Sequence, residues 1–107
     1  MFRRGSLLLI PYPFTDFSSQ KRRPVLALTA PDEQGDFIGM PVTSKGYHPR
    51  SLELEGHLQT GTLPRPSWVR TDKVVTLQIS LVIKCFAQVQ PAFLHDAVAS
   101  ICSYLES

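Results

Sequence analysis

The sequence predicts an α+β fold: a small barrel or strongly curved antiparallel sheet with one α-helix packed on it at the C-terminal end. Three observations carry this. Short apolar runs of strand length recur through most of the 107 residues, separated by polar stretches rich in proline and glycine. The nine prolines stand mostly at the ends of those runs, where strands tolerate them and helix interiors do not. Only after Pro91 does the apolar spacing change to that of a helix. With 43% apolar and 19% charged residues, the chain is expected to fold, and residues 1–107 are the size of one domain around one core.

Taken in order, Ser6 to Ile10 is nearly continuous in apolar residues and suits a buried strand, ended by Pro11 and Pro13. Thr15 to Arg23 is polar and reads as a loop. Pro24 opens a second apolar β-run, Val25 to Thr29, and Pro31 to Gly35 is a turn. Phe37 to Val42 is a third strand, which delivers Thr43 and Ser44 to its end. Ser51 to Leu54 alternates polar and apolar residues, as a half-buried strand does. Thr60 to Ser67 carries Gly61, Pro64 and Pro66 and is expected to be loop. Trp68 to Leu77 reads as one strand bending near Gln78. Leu81 to Val89 is the last β-segment, with Val82, Ile83, Phe86 and Val89 as core candidates. Pro91 suits a first helical turn, and Leu94, Val98, Ile101 and Leu105 form one apolar stripe of an amphipathic helix. The count is about six short strands and one helix.

The net charge of +2 is too small to name a partner, but it is unevenly spread. Residues 1–23 hold Arg3, Arg4, Lys21, Arg22 and Arg23 against Asp16 alone; residues 45–73 hold Lys45, Arg50, Arg65, Arg70 and Lys73 against Glu53, Glu55 and Asp72. The remainder has Lys84 against five acids. Two basic segments can therefore form one positive face that attracts phosphate. No apolar run is long enough to span a bilayer, so no membrane is expected. Arg3 and Arg4 before Leu7 to Ile10 imitate a signal peptide, but the run is short and broken by proline, which predicts a cytoplasmic chain. Cys85 and Cys102 belong to no metal-spaced cluster and are expected to be buried thiols.

Several chemistries drop out. The carboxylates Asp16, Asp32, Asp36, Glu53, Glu55 and Asp72 are scattered through loops, so no metal site and no cofactor is expected. There is no nucleophile elbow and no glycine-rich phosphate loop. Of the histidines, His48 lies closest in sequence to the strand end at Thr43 and is a candidate for proton transfer or binding. What remains is Lys21-Arg22-Arg23-Pro24 at the start of one strand and Pro41-Val42-Thr43-Ser44 at the end of another. If those strands are antiparallel neighbours, Arg23 and Thr43 share one rim. A guanidinium and a hydroxyl there can stabilise a phosphate whose charge is growing.

These residues carry a resemblance. The chain resembles the PemK/MazF-like toxins of toxin–antitoxin pairs through Arg4-Gly5-Ser6-Leu7-Leu8-Leu9, Tyr12-Pro13-Phe14-Thr15-Asp16, Lys21-Arg22-Arg23-Pro24-Val25-Leu26 and Pro41-Val42-Thr43-Ser44. Leu63-Pro64-Arg65-Pro66-Ser67-Trp68-Val69, Asp72-Lys73 and Leu81-Val82-Ile83-Lys84 continue it. The resemblance implies an SH3-like barrel with a C-terminal helix, homodimers and a cognate antitoxin. It implies a metal-independent endoribonuclease that cuts single-stranded RNA by 2′-hydroxyl attack, leaving 2′,3′-cyclic phosphate and 5′-hydroxyl ends. The family's catalytic arginine and threonine map to Arg23 and Thr43. Thr15, Asp16, Gln20, Lys21, Arg22, Ser44 and His48 are expected along the RNA path, with Trp68 or Tyr47 available to stack on a base and Trp68 equally suited to the core. Ser6 stands where many members have an acidic residue. The alternative is a non-catalytic or protein-directed binding module on the same barrel, as in gyrase-poisoning toxins; the presence of both Arg23 and Thr43 favours the ribonuclease.

Overall fold

The computed structural model describes residues 2–11 and 21–107. Within them lie eight strands: β1 (Ser6–Pro11), β2 (Arg22–Ala27), β3 (Asp36–Thr43), β4 (Ser51–Glu53), β5 (Leu58–Gly61), β6 (Trp68–Arg70), β7 (Val75–Gln78) and β8 (Lys84–Val89). One helix, α1 (Pro91–Leu105), follows, and a 3₁₀ turn at Ile79–Leu81 joins β7 to β8. The strands make one curled antiparallel sheet in the order β4-β6-β3-β2-β1-β8-β5, with β7 also paired to β3. This is the α+β half-barrel with a C-terminal helix that the sequence predicts. Among the described residues no helix is long and apolar enough to cross a membrane.

The near-continuous apolar runs of β1 and β2 follow from burial on both faces of the sheet. Leu7 and Leu26 face the helix side, where they pack with Met40, Val69, Val89 and the helix residues Phe93, Leu94, Ala97 and Ile101. Leu8, Ile10, Val25 and Ala27 face the other way and pack with Phe37 and Leu77. Each fully buried leucine contributes about 1.5–3 kcal/mol of transfer free energy. Alternation along β1 and β2 thus divides the interior into two clusters and holds both strands at the centre of the sheet.

Several boundaries differ from expectation. The segment predicted as one strand from Trp68 to Leu77 is divided into β6 and β7, which run in succession along the same edge of β3: β6 pairs with Val42 and Thr43, β7 with Asp36 to Gly39. The break at Thr71 to Val74 follows the curl of β3, which changes partner between its two halves. Thr60 and Gly61, expected in a loop, end β5 and pair with Gln88 and Ala87. Val82 and Ile83 are half-buried and precede the strand, whereas Ala87 is buried within it. The buried helix stripe is Phe93, Leu94, Ala97 and Ile101; Leu105, in the helix's last turn, is exposed. Arg50 lies over the Tyr104 ring at 4.5 Å and ties that turn to the β3–β4 connection. Cys85 and Cys102, expected to be buried, are both exposed free thiols. Regular alternation would set Cys85 on the face of buried Ala87 and Val89, but the pairing of β8 with β1 shifts register between Ala87 and Cys85. Cys102 lies off the helix's buried stripe.

Two glycines separate backbone strain from close approach. Both Gly56 and Gly61 have positive φ, +83° and +82°. A Cβ on Gly56 would meet nothing within 4 Å, whereas one on Gly61 would run into the Phe86 carbonyl and come within 2.7 Å of the Ala87 Cα. Gly56→Ala should cost about 1–2 kcal/mol, from left-handed backbone alone. Gly61→Ala should cost about 1–3 kcal/mol more, from overpacking β5 on β8. Urea midpoints check this; equal losses would mean β5 does not approach β8 this closely.

Candidate functional site

β2 and β3 are antiparallel neighbours, with Val25 opposite Pro41, Leu26 opposite Met40 and Ala27 opposite Gly39. The start of β2 therefore lies beside the end of β3. Carrying the same register two residues further sets Arg23 opposite Thr43. On its other edge β2 is fixed by β1, with Ile10 opposite Arg23 and Pro11 opposite Arg22. Pairing with β1 at the arginines themselves, and with β3 from Val25 onward, thus fixes where the two arginines leave the backbone.

Two clefts open at this rim, and they share Arg23, Pro24, Val42, Thr43 and Ser44. The first, about 510 Å³, has a partly apolar floor of Leu9, Val42 and Phe86 and is ringed by Arg22, Arg23, Arg65 and Lys84. The second, about 550 Å³, adds Lys45, Tyr47, His48, Arg70 and Lys73. No carboxylate among the described residues lines either one. A concave wall this rich in basic side chains attracts an anionic ligand more strongly than the net charge suggests.

Local hydrogen bonds set the side chains at the centre. The Thr43 Oγ1 accepts the Lys45 amide proton at 3.0 Å. This closes a small turn at the strand end and leaves the hydroxyl proton to donate into the cleft. The following loop is held at further points. The Ser51 hydroxyl donates to the His48 carbonyl at 2.9 Å, and Gly46 lies against the Trp68 ring, where a Cβ would come within 2.7 Å of a ring carbon. Trp68 therefore acts as a support beneath the loop, and Tyr47 is the aromatic that faces outward, 76% exposed.

A second ordered unit stands at the end of β6. Arg70 makes a two-pronged ion pair with Asp72, Nε to Oδ1 at 3.0 Å and Nη2 to Oδ2 at 2.8 Å. The hydrogen bonds from Arg70 hold the Asp72 carboxyl below its ordinary value, against the opposing effect of burial. The same hydrogen bonds raise the Arg70 guanidinium. Arg70 Nη1 approaches His48 Nε2 at 3.5 Å.

Arg22, Arg23, Thr43, Ser44 and His48 are thus brought together. Lys21 precedes β2 and lines neither cleft, and Thr15, Asp16 and Gln20 lie outside the described residues. His57 packs on Phe93 at 5.2 Å, and His95 is exposed on the helix; neither lines these clefts. Ser6 lies at the far end of β1 from Arg22 and Arg23. It is buried there, accepting from the Arg3 amide and donating to Gln88 Oε1. Sequence reasoning did not single out Arg65, Lys84 or the Arg70–Asp72 pair. The last had a signal: residues two apart at a strand end lie on one face, so Arg-x-Asp can form a fork. No group of three or more His, Cys, Asp or Glu among the described residues is placed to hold a metal ion.

The model of one protein family, described as PemK-like, MazF-like toxin of type II toxin-antitoxin system, matches residues 3–105. Among solved structures, MazF from Deinococcus radiodurans in its Form-I crystal is similar with a TM-score of 0.76 and 22% identity, covering 98% of this chain and 96% of that one. The MazE–MazF complex (Form-II) from the same organism gives 0.74 and 22%, covering 97% and 94%. An endoribonuclease in complex with its cognate antitoxin, from a mycobacterial species, gives 0.72 and 15%, covering 97% and 92%. At these identities the likeness is one of fold. No curated protein sequence matches.

The fork predicts a pH signature. A carboxyl held below its ordinary 3.8 adds stability that is fully present above that value and is lost as pH falls through the lowered one. Asp72→Asn should therefore lower the thermal midpoint by a constant amount above about pH 5 and by a shrinking amount below about pH 4. Thermal melts of both proteins from neutral to acid pH check this; a difference that grows towards acid would contradict the assignment.

Proposed function

The chain belongs to the PemK-like, MazF-like toxin family of type II toxin–antitoxin systems, and from that membership we propose that it is an endoribonuclease that cleaves single-stranded RNA. The observation that carries the reading is the placement of Arg23 beside Thr43 at the meeting point of two basic clefts. RNA brings its own nucleophile. The 2′-oxygen bonds to the adjacent phosphorus as the bond to the 5′-oxygen breaks, leaving a 2′,3′-cyclic phosphate and a 5′-hydroxyl. The proton lost from the 2′-hydroxyl passes to solvent, and the departing 5′-oxygen takes one up.

The protein's task is then to align the three reacting atoms and to stabilise charge on the phosphate oxygens. Arg23 supplies a planar fork of donors to the non-bridging oxygens, and Thr43 supplies its hydroxyl proton to the same phosphate. Arginine is a poor base, so electrostatic stabilisation is its role. Arg22, Arg65 and Lys84 lie where they can follow the backbone on one side of that phosphate, and Lys45 and Lys73 on the other. Because the nucleophile belongs to the substrate and the positive charge to side chains, the reaction needs no metal ion. The antitoxin is expected to cover the same basic rim with an acidic segment, and the toxin to act as a homodimer in the cytoplasm.

Incubation of the purified protein with a long single-stranded RNA in excess EDTA, followed by end mapping, tests the reading. Cyclic-phosphate and 5′-hydroxyl ends are expected, with Arg23→Ala and Thr43→Ala each lowering kcat by about 10²–10³ at an unchanged thermal midpoint. Cleavage that stops when EDTA is added, or variants as active as wild type, would overturn it. Intact RNA together with tight, RNA-independent binding of a protein would favour a protein-directed toxin.

A further inference from the structure

The second cleft contains a feature that phosphate binding does not require. Tyr47 is a large side chain left 76% exposed, yet its loop is pinned by the Lys45–Thr43 and Ser51–His48 hydrogen bonds and by the seat of Gly46 on Trp68. The tyrosine ring lies against His48 with centroids 4.5 Å apart and planes tilted by 41°. His48 is in turn approached by Arg70, and Arg70 is locked by Asp72. A chain of contacts therefore runs from β6 to a two-ring platform whose outer ring stands in solvent. An exposed aromatic on a fixed backbone loses little conformational freedom when it is covered, which is the condition for efficient binding.

The neighbours of this platform name its occupant. Tyr47 and His48 line the same cleft as Arg23 and Thr43, together with Lys45 and Lys73. A ligand that presents alternating phosphates and flat rings satisfies both sets of groups, and single-stranded RNA does so. Building on the ribonuclease reading, we infer that Tyr47, backed by His48, is a stacking subsite for the base of a nucleotide flanking the phosphate held by Arg23 and Thr43. Every base has a π-face, so the subsite tolerates sequence but favours the larger purines, which cover more of the ring. It contributes to substrate binding and leaves the chemical step to the rim residues.

The test uses the full chain and labelled single-stranded RNA oligonucleotides with 2′-fluoro sugars, which cannot be cut at the substituted positions. Tyr47→Ala should weaken Kd about 5- to 150-fold, and Tyr47→Phe should stay within about twofold of wild type. An abasic nucleotide scanned along the oligonucleotide should reveal one position where wild type loses as much as Tyr47→Ala does, with no further loss when the two changes are combined. Equal affinity of wild type and Tyr47→Ala, the absence of such a position, or no binding by wild type would each overturn the subsite. Unmodified RNA assayed alongside separates the two claims. If it stays intact while Tyr47-dependent binding persists, the ribonuclease reading fails and the subsite stands.

Discussion

The antiparallel pairing of β2 with β3 is the constraint on which the rest of this molecule depends. It joins the two clusters of the interior, since Leu26 serves one and Val25 and Ala27 the other. It also sets the two groups of the proposed chemistry on one rim. Because strand side chains alternate and both faces of β2 are buried, a slip of one residue would turn Leu26 into the opposite cluster and Val25 and Ala27 out of theirs, so that neither cluster would pack. Core burial therefore enforces the register, and the register places Arg23 beside Thr43. Stability and function use the same hydrogen-bonded ladder.

Charge gains its meaning from that placement. Two basic segments far apart in sequence meet at the rim because β3 and the loop after it bring residues 43–48 next to the start of β2. Lys84 joins them from β8, although in sequence it lies outside both basic segments. Arg50 does not line either cleft and instead covers Tyr104 on the helix. Asp72, which is paired to Arg70 of the second cleft, has both oxygens engaged by it. A chain of 107 residues can present a strong local field in this way while its net charge stays near zero.

Much of the fold was legible because period and punctuation agreed. β1, β2 and β3 were apolar runs bounded by proline and glycine, and the helix announced itself by the change in spacing after Pro91. The misplacements share one cause, the curl of the sheet. β3 takes different partners along its length, so one predicted strand had to break into β6 and β7. β5 is short and largely exposed, paired along one edge to β8, and its Gln59, Thr60 and Gly61 carry no apolar signal. At the site, Arg23 and Thr43 could be paired from sequence because their strands were consecutive. Arg70 could not, since its contribution depends on β6 reaching β3 across a connection of more than twenty residues. Trp68 was ambiguous as stacker or core residue, and its contact with the Gly46 backbone makes it a support for the loop that presents Tyr47.

The central claim is that Arg23 and Thr43 act on one phosphate. The most direct measurement is a double-variant cycle in cleavage rate with Arg23→Ala, Thr43→Ala and the two combined. If both groups hold the same phosphate, removing either one misplaces it for the other, and the combined variant should lose little more than the worse single one. Losses that multiply in full, to about 10⁴–10⁶ from two singles of about 10²–10³, would mean that the two residues act independently and would contradict the account.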